Sequence, residues 1–538
     1  MLSIGQLVFA GAALSFVAVV VPISILVLVL VYGKLVTAKG KAPRFETLYN
    51  GSRKVWRLDT AIPFFEDTLE LAKHVDDFQD YTASHVKQFN GEPYIVKVLG
   101  RPDSTVLSTP QAIEDVLKNE FECFPKGPFV NEGVRELLGE GIFGVDDAKW
   151  VHQRKTASNL FTKRALRDSM TTIVQTHAKV LHSILQRAAD SKTSIDLFRL
   201  FNRFSIEVFS QIAFGIHLGC LDADEEHPFQ TAFDSAQRQI VLRFARPSWF
   251  WKAQRWLGVG AEGILKENIK RIDDMVLEII ATSLHHRHNN GALTTQQQNG
   301  EKDIVSLFLD NVSQNPDFEA KDFDPRYLRD IVVNFLIAGR DTTAQSLSWL
   351  FYNLSSRPDV VAKVRAEIAT KLPAFVSGEV TEISMEQSKE LVYLEACLKE
   401  SLRLHPTLPF GTKHVKHDVV LSDGTFIKAN TTVGLAFYGM ARLERVWGPN
   451  AESFNPDRWI DPDTGKLISV SSYKFTSFSA GPRMCLGMNL AMLEMKLVVS
   501  GLLSKFDVEL VPGQKITYDF SLTLPVRGAM MANVTRVW

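Results

Sequence analysis

The chain has 538 residues, 60 basic and 61 acidic side chains, and a formal net charge of −1. This length can bury a large core, and the balanced charge gives no sign of a nucleic-acid partner. The four cysteines are widely spaced, which excludes a disulfide framework and is typical of a reducing compartment.

The N-terminal segment is markedly apolar. Residues 1–33 carry no charged side chain, and Leu7 to Val31 is nearly all apolar, long enough to cross about 30 Å of hydrocarbon. Lys34, Lys39 and Lys41 follow, which by the positive-inside rule keeps the rest of the chain cytosolic. We predict a transmembrane signal anchor at 1–33, a basic, proline-containing linker at 34–60 and one large domain at 61–538. The alternative is a cleaved secretory signal.

The first part of the large domain mixes helical and strand patterns. We predict a helix over Glu66 to Phe89, strands at Tyr94 to Gly100 and Ser104 to Leu107, and a helix opened by Thr109 and Pro110. Together with the long helical patterns further on, these elements predict a mainly α fold with small β-sheets, an α+β class.

Two features in the middle of the chain combine aromatic and basic residues. Trp150 and Arg154 are four residues apart and therefore share a helix face. The stretch from Arg243 to Trp256 interleaves five aromatic with four basic residues, which favours a membrane interface. The alternative for this stretch is ordinary core aromatics with a solvated basic face.

A long helix is predicted from Tyr327 to Ser355, with Ala338-Gly339-Arg340-Asp341-Thr342-Thr343 at its centre. Glycine in a helix interior lowers helix stability by about 1 kcal/mol relative to alanine, so a functional or packing reason for Gly339 is expected. Small residues at 338 and 339 would let a flat cofactor approach, and the Thr342 hydroxyl can bond the carbonyl one turn back. The alternative is a helix break capped by Asp and Thr.

Glu400 and Arg403 follow on another helical segment, at a spacing that lets them pair. Ser422 to Thr425 reads as a hairpin turn. Near the C-terminus, Phe520 to Pro525 reads as a strand and turn.

The last chemical segment brings one cysteine to the start of an apolar helix, Leu486 to Phe506. A thiol at a helix N-terminus, with Arg483 two residues earlier, is expected to have a low pKa and to bind soft metals as a thiolate. The alternative is that Cys485 is an ordinary buried cysteine that packs as a small apolar side chain.

Phe478, Gly481, Arg483, Cys485 and Gly487 resemble the heme-ligand loop of the cytochrome P450 family, Phe-x-x-Gly-x-Arg-x-Cys-x-Gly. Three further motifs of the family occur in its order, and the resemblance covers nearly all of residues 42–538. It implies the cytochrome P450 fold, preceded here by a single transmembrane helix, with residues 61–538 as a heme-thiolate monooxygenase domain.

The resemblance also implies roles for individual residues. Cys485 would be the axial ligand of heme b, shielded by Phe478 and given room by Gly487. Four residues would contact the heme propionates: Trp150, Arg154, Lys413 and Arg483. Asp341 would relay protons and Thr342 would support oxygen activation. Glu400, Arg403 and Arg458 would form a buried structural set.

The likeness is strongest to eukaryotic fatty-acid and alkane ω-hydroxylases, with Phe335, Ala338 and Leu522 as expected substrate contacts. It implies hydroxylation with O₂ at the endoplasmic reticulum membrane. No flavin or nicotinamide domain is recognised, so NADPH electrons would come from cytochrome P450 reductase, with cytochrome b5 as a second donor. Docking would use the face near Cys485, through Arg483 and Lys474. The alternatives are a lipid hydroperoxide rearranging enzyme and a heme-binding protein without turnover.

Overall fold

The computed structural model describes residues 44–46, 53, 55–62, 64–223, 228–288, 303–313 and 325–537. The predicted anchor at 1–33 lies outside these residues. Within them, no helix combines the length and apolarity needed to cross a bilayer.

Helices make up most of the described chain, as the sequence predicts. In chain order they are α1 (Thr68–Lys73), α2 (Phe78–Gln88), α3 (Pro110–Glu114), α4 (Gly127–Leu138), α5 (Asp147–Ser158), α6 (Lys163–Ala165), α7 (Thr171–Ser191), α8 (Leu197–Phe214), α9 (Pro228–Arg243), α10 (Ser248–Leu257), α11 (Gly260–His288), α12 (Ile304–Ser313), α13 (Pro325–Ser355), α14 (Pro358–Lys371), α15 (Pro373–Val376), α16 (Met385–Lys389), α17 (Val392–Leu404), α18 (Phe437–Ala441), α19 (Glu444–Trp447) and α20 (Met488–Lys505).

The strands form small sheets. They are β1 (Arg44–Glu46), β2 (Val55–Arg57), β3 (Tyr94–Val96), β4 (Ser104–Leu107), β5 (Ile195–Asp196), β6 (Gly411–His414), β7 (Val419–Val420), β8 (Phe426–Ile427), β9 (Thr432–Leu435), β10 (Phe506–Leu510) and β11 (Met531–Arg536). A six-stranded sheet has the order β1-β2-β3-β4-β9-β6, a three-stranded sheet the order β10-β11-β5, and β7 pairs with β8. The predicted turn at 422–425 joins β7 to β8.

Helix α13 is the centre of the fold. From residue 331 to 350 every residue is buried except Ala338, Gly339 and Thr342, so most of the helix serves as core on all sides. Its polar residues also hold the C-terminal loop: Gln345 Nε2 donates to Thr523 Oγ1 at 2.8 Å, and Trp349 Nε1 donates to the Leu524 carbonyl at 2.7 Å. The loop that contains Leu522 is thereby fixed against the central helix.

The predicted helix from Glu66 to Phe89 is in fact two helices, α1 and α2, separated at residues 74–77. Asp76 and Asp77 lie in this break, and aspartate side chains disfavour a helix interior because they hydrogen-bond nearby backbone groups in other conformations. Asp76, in this break, also lies 3.2 Å from both Arg238 and Arg527, which links the break to distant segments.

Two strand predictions also need correction. The strand predicted to reach Gly100 ends at Val96, because the backbone N–H groups of Lys97 and Leu99 donate to the side chains of Asp67 and Thr68 instead of a neighbouring strand. The segment 520–525 is a loop closed by a bridge between Tyr518 and Val526, and not a strand.

Candidate active site

The cysteine loop precedes helix α20 and is shaped by glycine. Gly481 has φ +64°, and a Cβ there would lie 2.1 Å from the Leu117 carbonyl oxygen, so only glycine fits. The backbone N–H of Cys485 donates to the Phe478 carbonyl at 2.8 Å, which closes the loop around the half-buried Phe478 ring. At Gly487 an added Cβ would lie 4.0 Å from the Cys485 sulfur and 3.7 Å from Phe161, so the loop has room there. The helix begins at Met488, two residues later than predicted.

Cys485 differs from the other three cysteines of the chain, which are all buried. Its side chain is accessible to solvent, yet protein surrounds it closely enough that desolvation raises the pKa of its thiol. The backbone N–H groups of Gly487 and Met488 and the charge of Arg154 act in the opposite direction. The expectation of a low pKa is therefore wrong for the protein without metal, because burial outweighs the helix N-terminus; a metal ion deprotonates a thiol that it binds.

A cluster of cations lies beside this loop. It consists of Lys126, Arg154, Lys413 and Arg483, with Asp146 as the carboxylate nearest to it. Arg483 pairs with Asp146 at 2.6 Å and lies over the Trp150 ring at 4.3 Å. Burial and the charge of Arg483 lower the pKa of Lys413 to about 7 and hold the pKa of Lys126 well below its usual range.

This cluster fits the two propionates of a heme. The Arg483 Nε atom is buried without a hydrogen-bond partner. The Arg154 guanidinium lies 5.8 Å from the centre of the Trp150 ring and forms no hydrogen bond or ion pair with the described residues. Buried cations that repel one another are stabilised by anions that enter between them. Because positive charge exceeds negative charge here, we expect Trp150, Arg154, Lys413, Arg483 and Lys126 to surround those carboxylates.

Sequence reasoning missed Lys126 and Asp146, and it assigned Arg483 to a propionate alone. Arg483 also has a protein carboxylate, Asp146, as a partner. The sequence gives only weak indications that these two residues belong to the site. Asp146 directly precedes the helix of Trp150 and Arg154, and Lys126 precedes Gly127 in a proline-rich turn. Asp146 also accepts the backbone N–H groups of residues 126 and 127, so it ties the cations to one another.

The accessible side of α13 presents Ala338 and Thr342, which are one turn apart on the same face. As predicted, the Thr342 hydroxyl donates to the Ala338 carbonyl, at 2.7 Å. Gly339 has a different explanation from the one predicted: a Cβ there would lie 2.0 Å from the ring of Phe209 on α8. The glycine lets two helices approach, and the small residue on the open face is Ala338.

Asp341 lies on the buried side of α13 and belongs to a polar network. It accepts hydrogen bonds from Gln237 Nε2 at 2.7 Å and from Arg340 Nη1 at 3.0 Å, and Arg340 also pairs with Asp234 at 2.6 Å. Burial raises the pKa of Asp341 to about 6, against the charge of Arg340 and with a contribution from Asp234. Since the Asp234 side chain is 56% exposed, this network links a buried carboxyl to solvent.

Glu400, Arg403 and Arg458 form the expected set, and Glu400 is fully buried. Its carboxylate lies 2.8 Å from Arg403 Nε and 2.9 Å from Arg458 Nε, and it accepts the indole N–H of Trp459 at 2.9 Å. Burial alone would raise the pKa of Glu400, but the two arginines and the Asn455 N–H lower it below its usual value. Trp459 was not predicted as a member of this set.

A cavity of about 220 Å³ lies between the six-stranded sheet, α2, α4, the end of α9 and the C-terminal loop. Its wall is mainly apolar and includes Val96, Val134, Phe410 and Leu522. Thr412 of β6 faces this cavity, whereas the next residue, Lys413, interacts with Arg483, as the alternation of a strand requires. One strand thus separates the cavity from the cation cluster.

Of the three expected substrate contacts, the structure brings Leu522 to this cavity wall. Phe335 is buried in the core around α13, and Ala338 lies on the accessible face of α13. The expected docking residues near Cys485 are also not surface groups: Arg483 is 13% exposed and paired with Asp146, and Lys474 lies half-buried over the Trp447 ring. Exposed basic residues on the segment around Phe161, which lies next to Gly487, include Lys155, Lys163 and Arg164.

The structure thus places an accessible thiol beside a group of cations, and the central helix carries an accessible threonine. The family model for cytochrome P450 matches residues 57–531. Cytochrome P450 86B1 of Arabidopsis thaliana is 36% identical over 441 residues, covering 80% of this chain and 77% of the relative. Cytochrome P450 704C1 of Pinus taeda is 33% identical over 486 residues, covering 87% and 91%.

The chain belongs to the cytochrome P450 family. A third relative, cytochrome P450 94B1 of Arabidopsis thaliana, is 34% identical over 439 residues, covering 80% of this chain and 82% of its own. Members of the family are monooxygenases with a heme-thiolate cofactor, and they use O₂ and electrons from NAD(P)H.

Proposed function

We propose that this monooxygenase hydroxylates the terminal carbon of a long-chain fatty acid or alkane, with electrons delivered from NADPH by cytochrome P450 reductase and, as a second donor, cytochrome b5. The observation that supports this best is the cavity beside β6: its wall is mainly apolar, and it lies one strand away from the cation cluster. An apolar wall with few polar groups suits an aliphatic chain.

The heme, when bound through Cys485, supplies the oxidant that replaces a C–H bond by C–OH. The chain's own groups have separate tasks. The cation cluster orients the propionates, and the apolar cavity binds the chain and excludes water. Thr342 presents a hydroxyl on the open face of α13, and Asp341 is a carboxyl that can take up and release a proton. Arg340 keeps its charge and holds Asp341 next to Asp234, whose side chain reaches solvent. A pKa of about 6 suits such an exchange at neutral pH.

The proposal is tested by incubating the heme-loaded protein with reductase, NADPH, O₂ and either a long-chain fatty acid or an n-alkane. We expect products oxidised at the terminal carbon, identified by mass spectrometry, and NADPH consumption that rises when substrate is added. Hydroxylation only of compact, polycyclic substrates would contradict the proposal.

Thr342→Ala should uncouple the enzyme. Loss of the hydroxyl removes the group that bonds the Ala338 carbonyl and can pass a proton on the open face. We expect NADPH consumption to continue and hydrogen peroxide to appear instead of product. Product per NADPH should fall about a hundredfold, the lower end of what one positioned proton-transfer group contributes. Thr342→Ser, which keeps a hydroxyl, should retain most of the coupling. A heme protein without turnover would show no difference between these variants.

We further propose that the protein is a single-pass protein of the endoplasmic reticulum membrane and that helix α10 contacts the bilayer. Trp249 and Trp256 are 62% and 85% exposed and, seven residues apart, lie on one face of this helix. Trp251 is buried on another face. The basic residues contribute less than predicted, because Lys252 and Arg255 pair with Glu132 and Glu136, and Arg243 is buried against Glu262.

This contact predicts a fluorescence result. In vesicles of brominated lipid, the reconstituted wild-type protein should lose fluorescence from about two of its nine tryptophans. The double variant Trp249→Ser, Trp256→Ser should lose that quenching, and Trp251→Phe, on the buried face, should keep it. Equal quenching in the wild type and the double variant would exclude α10 from the bilayer.

A further inference from the structure

Three side chains of metal-binding type meet where α7, α8 and the turn after α8 come together. His177 lies on α7, Glu207 lies on α8, and His217 follows the last residue of α8 by three positions. Each residue offers one ligand atom, and these atoms lie within 4.8 Å of one another. The three residues belong neither to the cation cluster nor to the wall of the cavity beside β6. They form a group apart from the site described above.

The turn after α8 is held in place by Glu207. Helix α8 ends at Phe214, and Gly215 follows in the left-handed conformation, with φ +70°. The carboxylate of Glu207 accepts the backbone N–H groups of residues 218, 219 and 220 at 2.9, 3.2 and 2.7 Å. The turn that carries His217 is therefore fixed to α8, and His217 Nδ1 lies 3.7 Å from Glu207 Oε1.

The ring of His177 is held beside the same carboxylate. Its Nε2 atom lies 2.6 Å from Oε1 of Gln211, which is one turn after Glu207 on α8. The ring centres of His177 and His217 are 5.7 Å apart. His177 and Glu207 are buried, whereas the His217 side chain is 62% exposed. Two of the three residues are thus part of the protein interior, and the third covers them from the surface.

A simpler interpretation is that Glu207 only caps the turn, but this leaves the two histidines unexplained. A carboxylate has about four lone-pair sites, and the three backbone N–H groups use three of them. The His217 side chain forms no hydrogen bond within the described part of the chain, since 3.7 Å to Glu207 is longer than a hydrogen bond. Glu207 and His217 therefore both keep a lone pair that a metal ion can use.

The chemistry of the three side chains favours zinc. Two imidazoles and one glutamate form a known zinc ligand set, whereas Ca²⁺ and Mg²⁺ prefer oxygen ligands alone. With ligands about 2.1 Å from the ion, the ligand atoms of a tetrahedral site lie about 3.4 Å apart. The present spacing of up to 4.8 Å is somewhat wider. The exposed side chain of His217 can rotate to close this difference, because the protein does not enclose it.

We propose that His177, Glu207 and His217 bind a zinc ion, or another divalent ion of its class, with water as the fourth ligand. The ion ties the turn after α8 to α7. Because the unfolded chain does not hold these three residues together, zinc binds the folded protein preferentially and stabilises it. The proposal is independent of the substrate and of the reaction.

The test uses the untagged, heme-loaded, full-length protein after treatment with EDTA. Zn²⁺ binding is measured by equilibrium dialysis with elemental analysis. Stability is measured as the midpoint of thermal unfolding, followed by circular dichroism, in Zn²⁺ and in Ca²⁺ at the same concentration. The variants are His217→Ala, which changes an exposed side chain, and His177→Gln, which keeps a polar group in the interior. His152→Ala is the matched control, because His152 is an exposed histidine on α5.

We expect the wild type to bind one zinc ion more than His217→Ala at equal free zinc, with a Kd for that ion at least about tenfold lower than in either ligand variant. Changes outside the ligands themselves already weaken metal binding by about tenfold or more, so the loss of a ligand should weaken it at least as much. Zn²⁺ should raise the unfolding midpoint of the wild type and of His152→Ala, and not that of the ligand variants.

Two results would overturn the site. One is equal zinc stoichiometry and affinity in the wild type and in His217→Ala, which would assign the bound zinc to other residues. The other is a rise of the wild-type unfolding midpoint that Ca²⁺ produces as strongly as Zn²⁺, since an ion held by imidazoles cannot be replaced by Ca²⁺. His217→Ala alone decides the first point if His177→Gln fails to fold.

Discussion

Replacing Cys485 by Ser is expected to lower monooxygenase turnover by at least about a thousandfold, because a serine hydroxyl is a hard, weakly electron-donating ligand that cannot replace a thiolate on iron. The reduced, CO-bound spectrum should lose its long-wavelength band at the same time. The loop should keep its shape, since the backbone N–H of residue 485 still donates to the Phe478 carbonyl. Turnover and spectrum are measured on the same purified sample.

The matched control is Cys220→Ala. Cys220 is buried and lies away from the loop, so its loss removes a small apolar side chain and no ligand. It should leave the spectrum and the coupling of NADPH to product unchanged. Normal turnover by the Cys485→Ser protein would contradict the assignment of the ligand, and with it the role given to the cation cluster beside the loop.

Glu400→Gln is expected to lower the free energy of unfolding by about 3–5 kcal/mol, the range for breaking a buried ionic set. The change leaves Arg403, which is 2% exposed, with backbone carbonyls of residues 441, 451 and 453 but no counter-charge. It also weakens the bonds to Arg458 and Trp459. The measurement is the midpoint of chemical unfolding, followed by heme absorbance and by circular dichroism.

The same variant gives a pH signature. Because the pKa of Glu400 is lower in the folded protein than in the unfolded chain, the stability it contributes is present above the unfolded pKa of about 4.5 and is lost as the pH falls below it. The wild type should therefore lose more stability than Glu400→Gln between pH 6 and pH 4. Glu386→Gln is the control, since Glu386 forms only an exposed pair with Lys389 at 3.8 Å. Equal unfolding midpoints for the two variants would show that the buried set is not structural.

The elements that the sequence predicted well are those set by local spacing. The i to i+4 relation fixed the bond from Thr342 to the Ala338 carbonyl, and the i to i+3 relation fixed the pair of Glu400 and Arg403. Apolar periodicity predicted the long central helix to within two residues at its start and the correct residue at its end. In each case both partners lie on one helix, so no knowledge of the tertiary fold was needed.

The features that could not be predicted depend on contacts between distant segments. Arg483 pairs with Asp146, more than three hundred positions earlier, and Gly339 is small because Phe209 of another helix packs on it. Asp76, in the break between α1 and α2, pairs with Arg238 and Arg527 of distant segments.

The most direct test of the central claim is the difference spectrum of the reduced, heme-loaded protein with and without CO. We expect a Soret band at about 450 nm, which reports a thiolate opposite the CO, in the wild type and in Cys220→Ala and not in Cys485→Ser. A well-folded, fully heme-loaded wild-type protein that lacks this band would contradict the ligand assignment and the reaction proposed from it.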